Sequence, residues 1–395
     1  MVFLLSYQNI FEYLVGEALC TLEQKALNRT ELKVAKNFNL LVNLQDGRNL
    51  LVKQERHNPE GKTAGEFINE WRIQEFLQRF LALSHIRSML SEAIHFDTEH
   101  SIIVFNYLND YCDLAEFLTK ENVFPSAIAT SIGTTLSTIH RTTLKHQEYQ
   151  DFFSRNSEGI PIDQAPKFTR GLERISPEVF GQVPADGLKF FALYQRYDSL
   201  GKAIEELTSS FKPCCLTHND LKLNNILLHN DWEQNISKAE PSNNSIIRLI
   251  DWERSAWGDP AFDLGMLIAS YLQIWLGSLV VSKSIDVEES LRLAMTPLEQ
   301  LQPSIAALTK TYLANFPEIL EHRPDFLRRV VQFSGLAIIQ QIQAMIQYQK
   351  SFGNMGICML QVAKTLLCRP EQSIPTVFGI AESELRLICN DAKRY

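Results

Sequence analysis

The sequence lacks the marks of several protein classes at once. No two cysteines are spaced as CxxC, and their number is odd: Cys20, Cys112, Cys214, Cys215, Cys358, Cys368 and Cys389, seven in 395 residues. That argues against a zinc ribbon or dithiol redox motif and for reduced thiols in a cytosol. Basic residues are in deficit, 38 against 46 acidic ones, for a formal net charge of -8. A nucleic-acid binder carries the opposite imbalance on one face, so no nucleic-acid partner is expected. No segment repeats at a fixed period, which sets aside solenoids and propellers. The N-terminal MVFLLSYQNIFEYLV is apolar but has neither a basic lead-in nor a small-residue cleavage site, and is not read as a secretory signal.

Charge is missing over one long run, LGMLIASYLQIWLGSLVVS between Asp263 and Lys283, which nearly reaches the length of a membrane span. Gln273, three serines and a tyrosine dilute it and no second span follows, so a helix buried in a helical domain is expected, with no membrane partner. The rest is ordinary. With 45% hydrophobic and 21% charged residues the chain reads as a folded protein, long enough for two or three lobes with their own cores.

The first third carries strand signals. FNLLVNL (38–44) and NLLVKQE (49–55) flank Asp46 and Gly47, two apolar runs around a turn dipeptide, and predict a hairpin. TAGEFINEWRIQEFLQRFLAL repeats apolar residues at helical spacing (Phe67, Trp71, Phe76, Leu77, Phe80, Leu81), and SIIVFNYL (101–108) predicts another strand. From about Leu114 onward the pattern turns helical, near 126–144, 197–210, 264–282, 289–315, 325–350 and 355–368, with a Pro-, Gly- and polar-rich excursion expected over 151–190. The expected class is α+β, bilobal, with a small β-sheet N-lobe and a large, mostly helical C-lobe.

Chemistry concentrates in LTHNDLKLNNILLHN, residues 216–230. The apolar run from Asn225 and a second one, IIRLIDW (246–252), predict two short strands whose pairing would bring Asp220, Asn225 and Asp251 together. Magnesium on a nucleotide takes oxygen ligands, commonly one or two from the protein, and Asp251 with the Asn225 amide suits that need. Asp220 suits a separate carboxylate that orients an acceptor hydroxyl and takes its proton, with Lys222 near the transferring phosphoryl group. Singly, each of these residues is more often a cap or turn former; in this order and spacing they form a pattern.

HxDxxxxN followed by a strand ending in Asp resembles the protein-kinase-like catalytic arrangement. HNDLKLNNILL with LIDWERSAWGDPAFDLGMLI is similar to the aminoglycoside phosphotransferase and choline kinase family. The resemblance implies a bilobal protein-kinase-like fold with ATP in the cleft. Residues 1–108 would be the N-lobe, with a helical extension, the nucleotide-binding sheet and the helix of Glu70. Residues 109–395 would be the C-lobe, holding the catalytic loop, the magnesium site and the acceptor pocket. Lys53 in LLVKQE matches the family lysine that contacts the nucleotide's phosphates, and Glu70 in NEWRIQEFL the glutamate that pairs with it, Glu66 and Glu55 being the nearby alternatives. IVFNYLNDYCDL resembles the hinge that meets adenine, giving Asn106, Tyr107 and Leu108, and IGTTLSTIHRTT resembles the family's LGxxLxxLHR helix. The implied cofactors are ATP and Mg2+, and the implied partner is a small-molecule hydroxyl acceptor. The acidic balance, with Glu253 and Asp259 close to Asp251, favours an amine-bearing or quaternary-ammonium one. His218 and Asp263 are read as supports of the catalytic loop and His140 as a core histidine.

Two departures stand out. The stretch that matches the family's nucleotide-covering loop, AKNFNLLV, has no glycine, and close backbone approach to phosphates is harder without one. GDPAFDL follows IDWE within a few residues, leaving no room for a long activation segment. The expectation is a cytoplasmic small-molecule kinase, with a protein or peptide kinase, a nucleotidyl transferase and a non-catalytic pseudokinase as alternatives.

Overall fold

A computed structural model describes residues 3–24, 30–33, 36–154, 172, 185–237, 246–282, 284–285 and 287–386. Most of the expected 151–190 excursion, and Ala35 of the glycine-free loop, lie outside them. The chain divides into two compact units, Met1–Leu114 with Asn225–Ser255, and Ala115–Asn224 with Ala256–Tyr395.

In the first unit, β1 (Thr30–Lys33), β2 (Phe38–Asn43), β3 (Asn49–Gln54), β4 (Ala93–Asp97) and β5 (Ile102–Asn106) form an antiparallel sheet in the order β1-β2-β3-β5-β4. The expected hairpin is β2–β3. Its turn ends on Gly47 at φ 87°, a left-handed conformation that glycine adopts without cost. Strand side chains alternate between faces. Leu40, Val42, Leu50, Val52, Ile102 and Val104 lie in one cluster with Leu5, Ile10 and Leu14, the last two on helix α1 (Ile10–Gly16). Ile103 and Phe105 point the other way and cluster with Phe67 of helix α2 (Glu66–Arg79). Each fully buried aliphatic chain contributes about 1.5–3 kcal/mol, so both faces drive formation of the sheet. Lys53, one residue on from Val52, falls on the α2 face. The unit also holds β6 (Tyr111–Asp113), part of a small antiparallel sheet completed below.

The second unit is mostly helical. Its longer helices are α3 (Leu114–Glu121), α4 (Ser126–Thr143), α5 (Gln147–Ser154), α6 (Ala185–Tyr194), α7 (Asp198–Ser209), α8 (Pro260–Gly277), α9 (Leu298–Asn315), α10 (Phe326–Gln349), α11 (Asn354–Cys368) and α12 (Pro370–Phe378). Both ends of the expected irregular excursion are helical instead, within α5 and α6, because Phe153 and Phe190 are buried there and anchor a turn of helix each. The charge-free run forms α8, buried from Pro260 to Leu272, and packs on α10. An all-round apolar helix is what full burial selects. Among the described residues no helix is long and apolar enough to cross a membrane.

Three further pairs of strands frame the motifs. β7 (Cys215–Thr217) pairs with β10 (Ala256–Gly258) in the second unit. β8 (Ile226–His229) and β9 (Ile247–Leu249) form the antiparallel hairpin expected from ILL and IIRLI, and β8 pairs with β6, all in the first unit.

Candidate active site

The site residues fall into two sets, one in each unit. In the second unit, β7 delivers the chain into His218-Asn219-Asp220. Gly258 of β10 crosses so close to Thr217 that a Cβ there would lie 2.1 Å from Thr217 Oγ1, so the glycine of GDP is sterically required. Two backbone amides of the loop then donate to one carboxylate: His218 N to Asp263 Oδ2 at 2.7 Å and Asn219 N to Asp263 Oδ1 at 2.8 Å. Asp263 is fully buried on α8, as is His140 of α4, whose Nε2 lies 3.2 Å from Asp263 Oδ2. Asn219 sits at φ 62°, a left-handed conformation that few non-glycine residues adopt except asparagine. The strain is held by the Asp263 contacts and by Thr217 Oγ1, which donates to Asn219 Oδ1 at 2.9 Å. Asp220 follows directly, and its Oδ1 is 2.8 Å from Lys222 Nζ.

In the first unit, the β8–β9 register pairs Ile226 with Leu249, and Ile250 N donates to Asn225 O at 3.0 Å. Asn225 therefore precedes one strand and Asp251 follows the other at the same end of the hairpin. Asp251 is also left-handed, φ 60° and ψ 58°, and begins the helical turn Trp252–Arg254, against which α2 packs. Backbone strain of about 1–3 kcal/mol per such residue persists only where the surroundings enforce it.

Lys53 Nζ donates to Asp251 Oδ1, not to Glu70. Glu70 is buried on α2 and neither carboxylate oxygen meets a side-chain donor, the backbone of Trp252 being the nearest hydrogen-bonding group. Burial pushes the Glu70 carboxyl up to about 8; Lys53 opposes that, while Asp251 and Glu253 add to it. Burial works to lower the Lys53 ammonium, but the neighbouring Asp251 and Glu70 outweigh it and the net shift is upward. Glu253 is pushed up to about 7 by burial and by Glu66. Lys36, which the sequence reading missed, stands 3.9 Å from Glu253 and also contacts Glu66. Its signal was its place in the glycine-free loop, where a long cation is an alternative source of positive charge.

Asn106 ends β5 and its Nδ2 donates to Glu92 Oε2 at 2.9 Å. Tyr107 N donates to Asn49 O at 2.8 Å, and Leu108 O accepts from Tyr111 N at 3.3 Å, so the segment is tied to β3 and to β6. Asp259 offers no free charge to a cationic acceptor. It is fully buried, accepts from Ala261 N as the cap of α8, and its Oδ2 accepts from Arg329 at 2.8 Å and Arg323 at 3.1 Å.

Among the described residues no group of three or more His, Cys, Asp and Glu is placed to hold a metal. Asn225 with Asp251 is a smaller, all-oxygen donor pair. That fits magnesium, which keeps waters and substrate oxygens for the remaining positions.

A search of curated proteins finds no match. Among solved structures the chain is similar to an ethanolamine kinase from Plasmodium vivax, at 16% identity and TM-score 0.51 over 93% of this chain and 91% of that one. It is also similar to a choline/ethanolamine kinase family protein from Mesorhizobium loti (14% identity, TM-score 0.47, 95% and 99% covered). A third is a choline kinase from Streptococcus pneumoniae (16% identity, TM-score 0.42, 91% and 98% covered). At 16% identity the likeness to the first of these concerns the fold alone, which is α+β and protein-kinase-like. The model of the phosphotransferase enzyme family matches residues 35–293, a stretch that runs from the loop before β2 past the GDPAFDL motif, and the chain belongs to that family.

Proposed function

We propose that the protein is an ATP- and Mg2+-dependent phosphotransferase that moves the γ-phosphate of ATP to a hydroxyl of a small molecule. The observation that carries this reading is the meeting of Lys53 with Asp251 beside the buried Glu70. A sheet lysine and a hairpin carboxylate in contact supply one group for phosphate oxygens and one for a divalent cation, two needs that arise together in phosphoryl transfer.

Each residue then has a task. Lys53 holds phosphate oxygens, and Glu70 takes up and orients its ammonium. The Asn106–Leu108 segment receives the adenine. Asn225 and Asp251 would hold magnesium through oxygen atoms, and the ion when bound would neutralise charge spreading over the phosphates. Asp220 accepts the proton of the acceptor hydroxyl as the new P–O bond forms, and Lys222, 2.8 Å from it, adds positive charge where the phosphoryl group arrives. The backbone hydrogen bonds from His218 and Asn219 to Asp263 keep Asp220 in position, so that catalysis is mostly orientation and fixed charge.

An amine-bearing alcohol is the acceptor class to try first. The net charge of -8 attracts cations, although Asp259 is matched by two arginines and Glu253 has Lys36 at 3.9 Å. A cytoplasmic setting is supported by Cys20, Cys214, Cys215, Cys358 and Cys368, none of them in a disulfide. The test is phosphorus NMR of the purified protein with ATP, Mg2+ and a panel of amino alcohols, aminoglycosides, sugars and nucleosides. A new phosphomonoester resonance appearing with ADP supports the reading, and ATP left intact with every acceptor overturns it.

A further inference from the structure

Beyond the loop and its carboxylate support lies a buried tyrosine that the phosphotransferase reading does not use. Tyr312, on α9, is outside the 35–293 family match and fully buried. Its Oη is 2.9 Å from His140 Nδ1. It reaches there because α4 and α9 approach unusually closely at Gly133, where a Cβ would lie 2.6 Å from Leu308 O and 3.3 Å from Tyr312 N.

With His140 neutral and Asp263 ionised, the direction of each hydrogen bond follows. Asp263 already accepts from two backbone amides, and an ionised carboxylate only accepts. His140 Nε2, 3.2 Å from Asp263 Oδ2, must therefore carry the proton. In the neutral ring Nδ1 is then a bare acceptor, and the Tyr312 hydroxyl is the donor that meets it. Without that donor, a buried nitrogen loses its partner and the ring can change tautomer or turn, which would set an unprotonated Nε2 against the Asp263 carboxylate.

We propose that Tyr312 is a positioning residue for the catalytic loop: its hydroxyl fixes the tautomer of His140 and, through it, the seat of Asp263 beneath the backbone of His218 and Asn219. Only the kinetic part of the test rests on the phosphotransferase reading.

The experiment uses the full chain as wild type, Tyr312→Phe, His140→Gln and the double variant. In wild type, nitrogen-15 NMR is expected to find His140 protonated at Nε2; protonation at Nδ1 overturns the proposal without any variant. In Tyr312→Phe, amide exchange at His218 and Asn219 is expected to speed up about tenfold, the scale of one buried hydrogen bond, while exchange within α9 is unchanged. Turnover should fall by a similar factor with KM for ATP unchanged. In the His140→Gln background the Tyr312→Phe effect should vanish, since residues acting through one another do not add. Equal effects in both backgrounds, or unchanged exchange at His218 and Asn219, overturn the proposal. If wild type itself transfers no phosphate, the proposed function fails while the tautomer and exchange measurements still decide this inference.

Discussion

Lys53 and Asp251 stand 198 positions apart in sequence and their charged groups are in contact, while Glu70, buried nearby on α2, meets no side-chain donor. The lysine thus serves one of two carboxylates. On the proposed function, a divalent cation at Asp251 would free Lys53 for phosphate.

Removing either partner should separate the two roles. Asp251→Asn is expected to make ATP affinity by calorimetry the same in Mg2+ and in EDTA. Lys53→Met is expected to weaken ATP binding under both conditions by about ten- to a hundredfold, the scale of about 1.5–3 kcal/mol for a hydrogen bond to a charged group. Magnesium dependence surviving in Asp251→Asn would remove this residue from the metal site.

Glu70 should also make stability fall with pH. Its carboxyl, at about 8 in the fold against the usual value near 4.5, keeps a proton between those limits that the unfolded chain has shed. The native state then binds more protons than the unfolded state, so this contribution is present in full below about pH 4.5 and is lost as pH rises through about 8. Glu70→Gln, which mimics the neutral acid, is expected to raise Tm relative to wild type by an amount that grows from pH 5 to pH 8. Parallel Tm curves for the two proteins would contradict the assignment.

Asp259 is held by Arg323, Arg329 and the first turn of α8, all buried. Asp259→Asn leaves the buried Arg329 guanidinium without its counter-charge, while Arg323 keeps Asp325 at 3.4 Å, and is expected to cost about 3–5 kcal/mol in urea denaturation. A loss below 1 kcal/mol, on the scale of an exposed ion pair, would show that the cluster is solvated.

These residues show where the sequence is readable and where it is not. The β2–β3 hairpin is legible because turn residues and alternation act over a few positions, and the β8–β9 hairpin because ILL and IIRLI are short apolar runs beside the motif. Asp263 is legible as a support from GDPAFDL. Which carboxylate Lys53 touches is not, since Asp251 and Glu70 are both compatible with the spacing and only packing chooses between them. Asp259 reads as a free acid because its partners Arg323 and Arg329 lie 64 and 70 positions away, one just past a helix end and one within a helix, without local signature. Tyr312 is hidden for a similar reason: within an amphipathic helix an aromatic residue reads as core, and its hydroxyl partner is 172 positions distant.

The packing of α8 on α10 supplies a further test. A Cβ at Gly265 would lie 2.7 Å from Phe333 Cβ and 2.8 Å from Val330 O, atoms that cannot move without shifting α10. Gly265→Ala is expected to cost about 1–3 kcal/mol by denaturation, the usual range for overpacking a filled core. A neutral or stabilising effect, as for a glycine replaced in an open helix, would contradict this packing.

Asp220 tests the account most directly. Phosphoryl transfer to the best acceptor and ATP binding are measured side by side in wild type and in Asp220→Ala. The expected result is a loss of about 10²- to 10⁴-fold in turnover, the usual contribution of a positioned base, with ATP affinity unchanged. Turnover that survives in Asp220→Ala would contradict the central claim that this carboxylate takes the acceptor's proton.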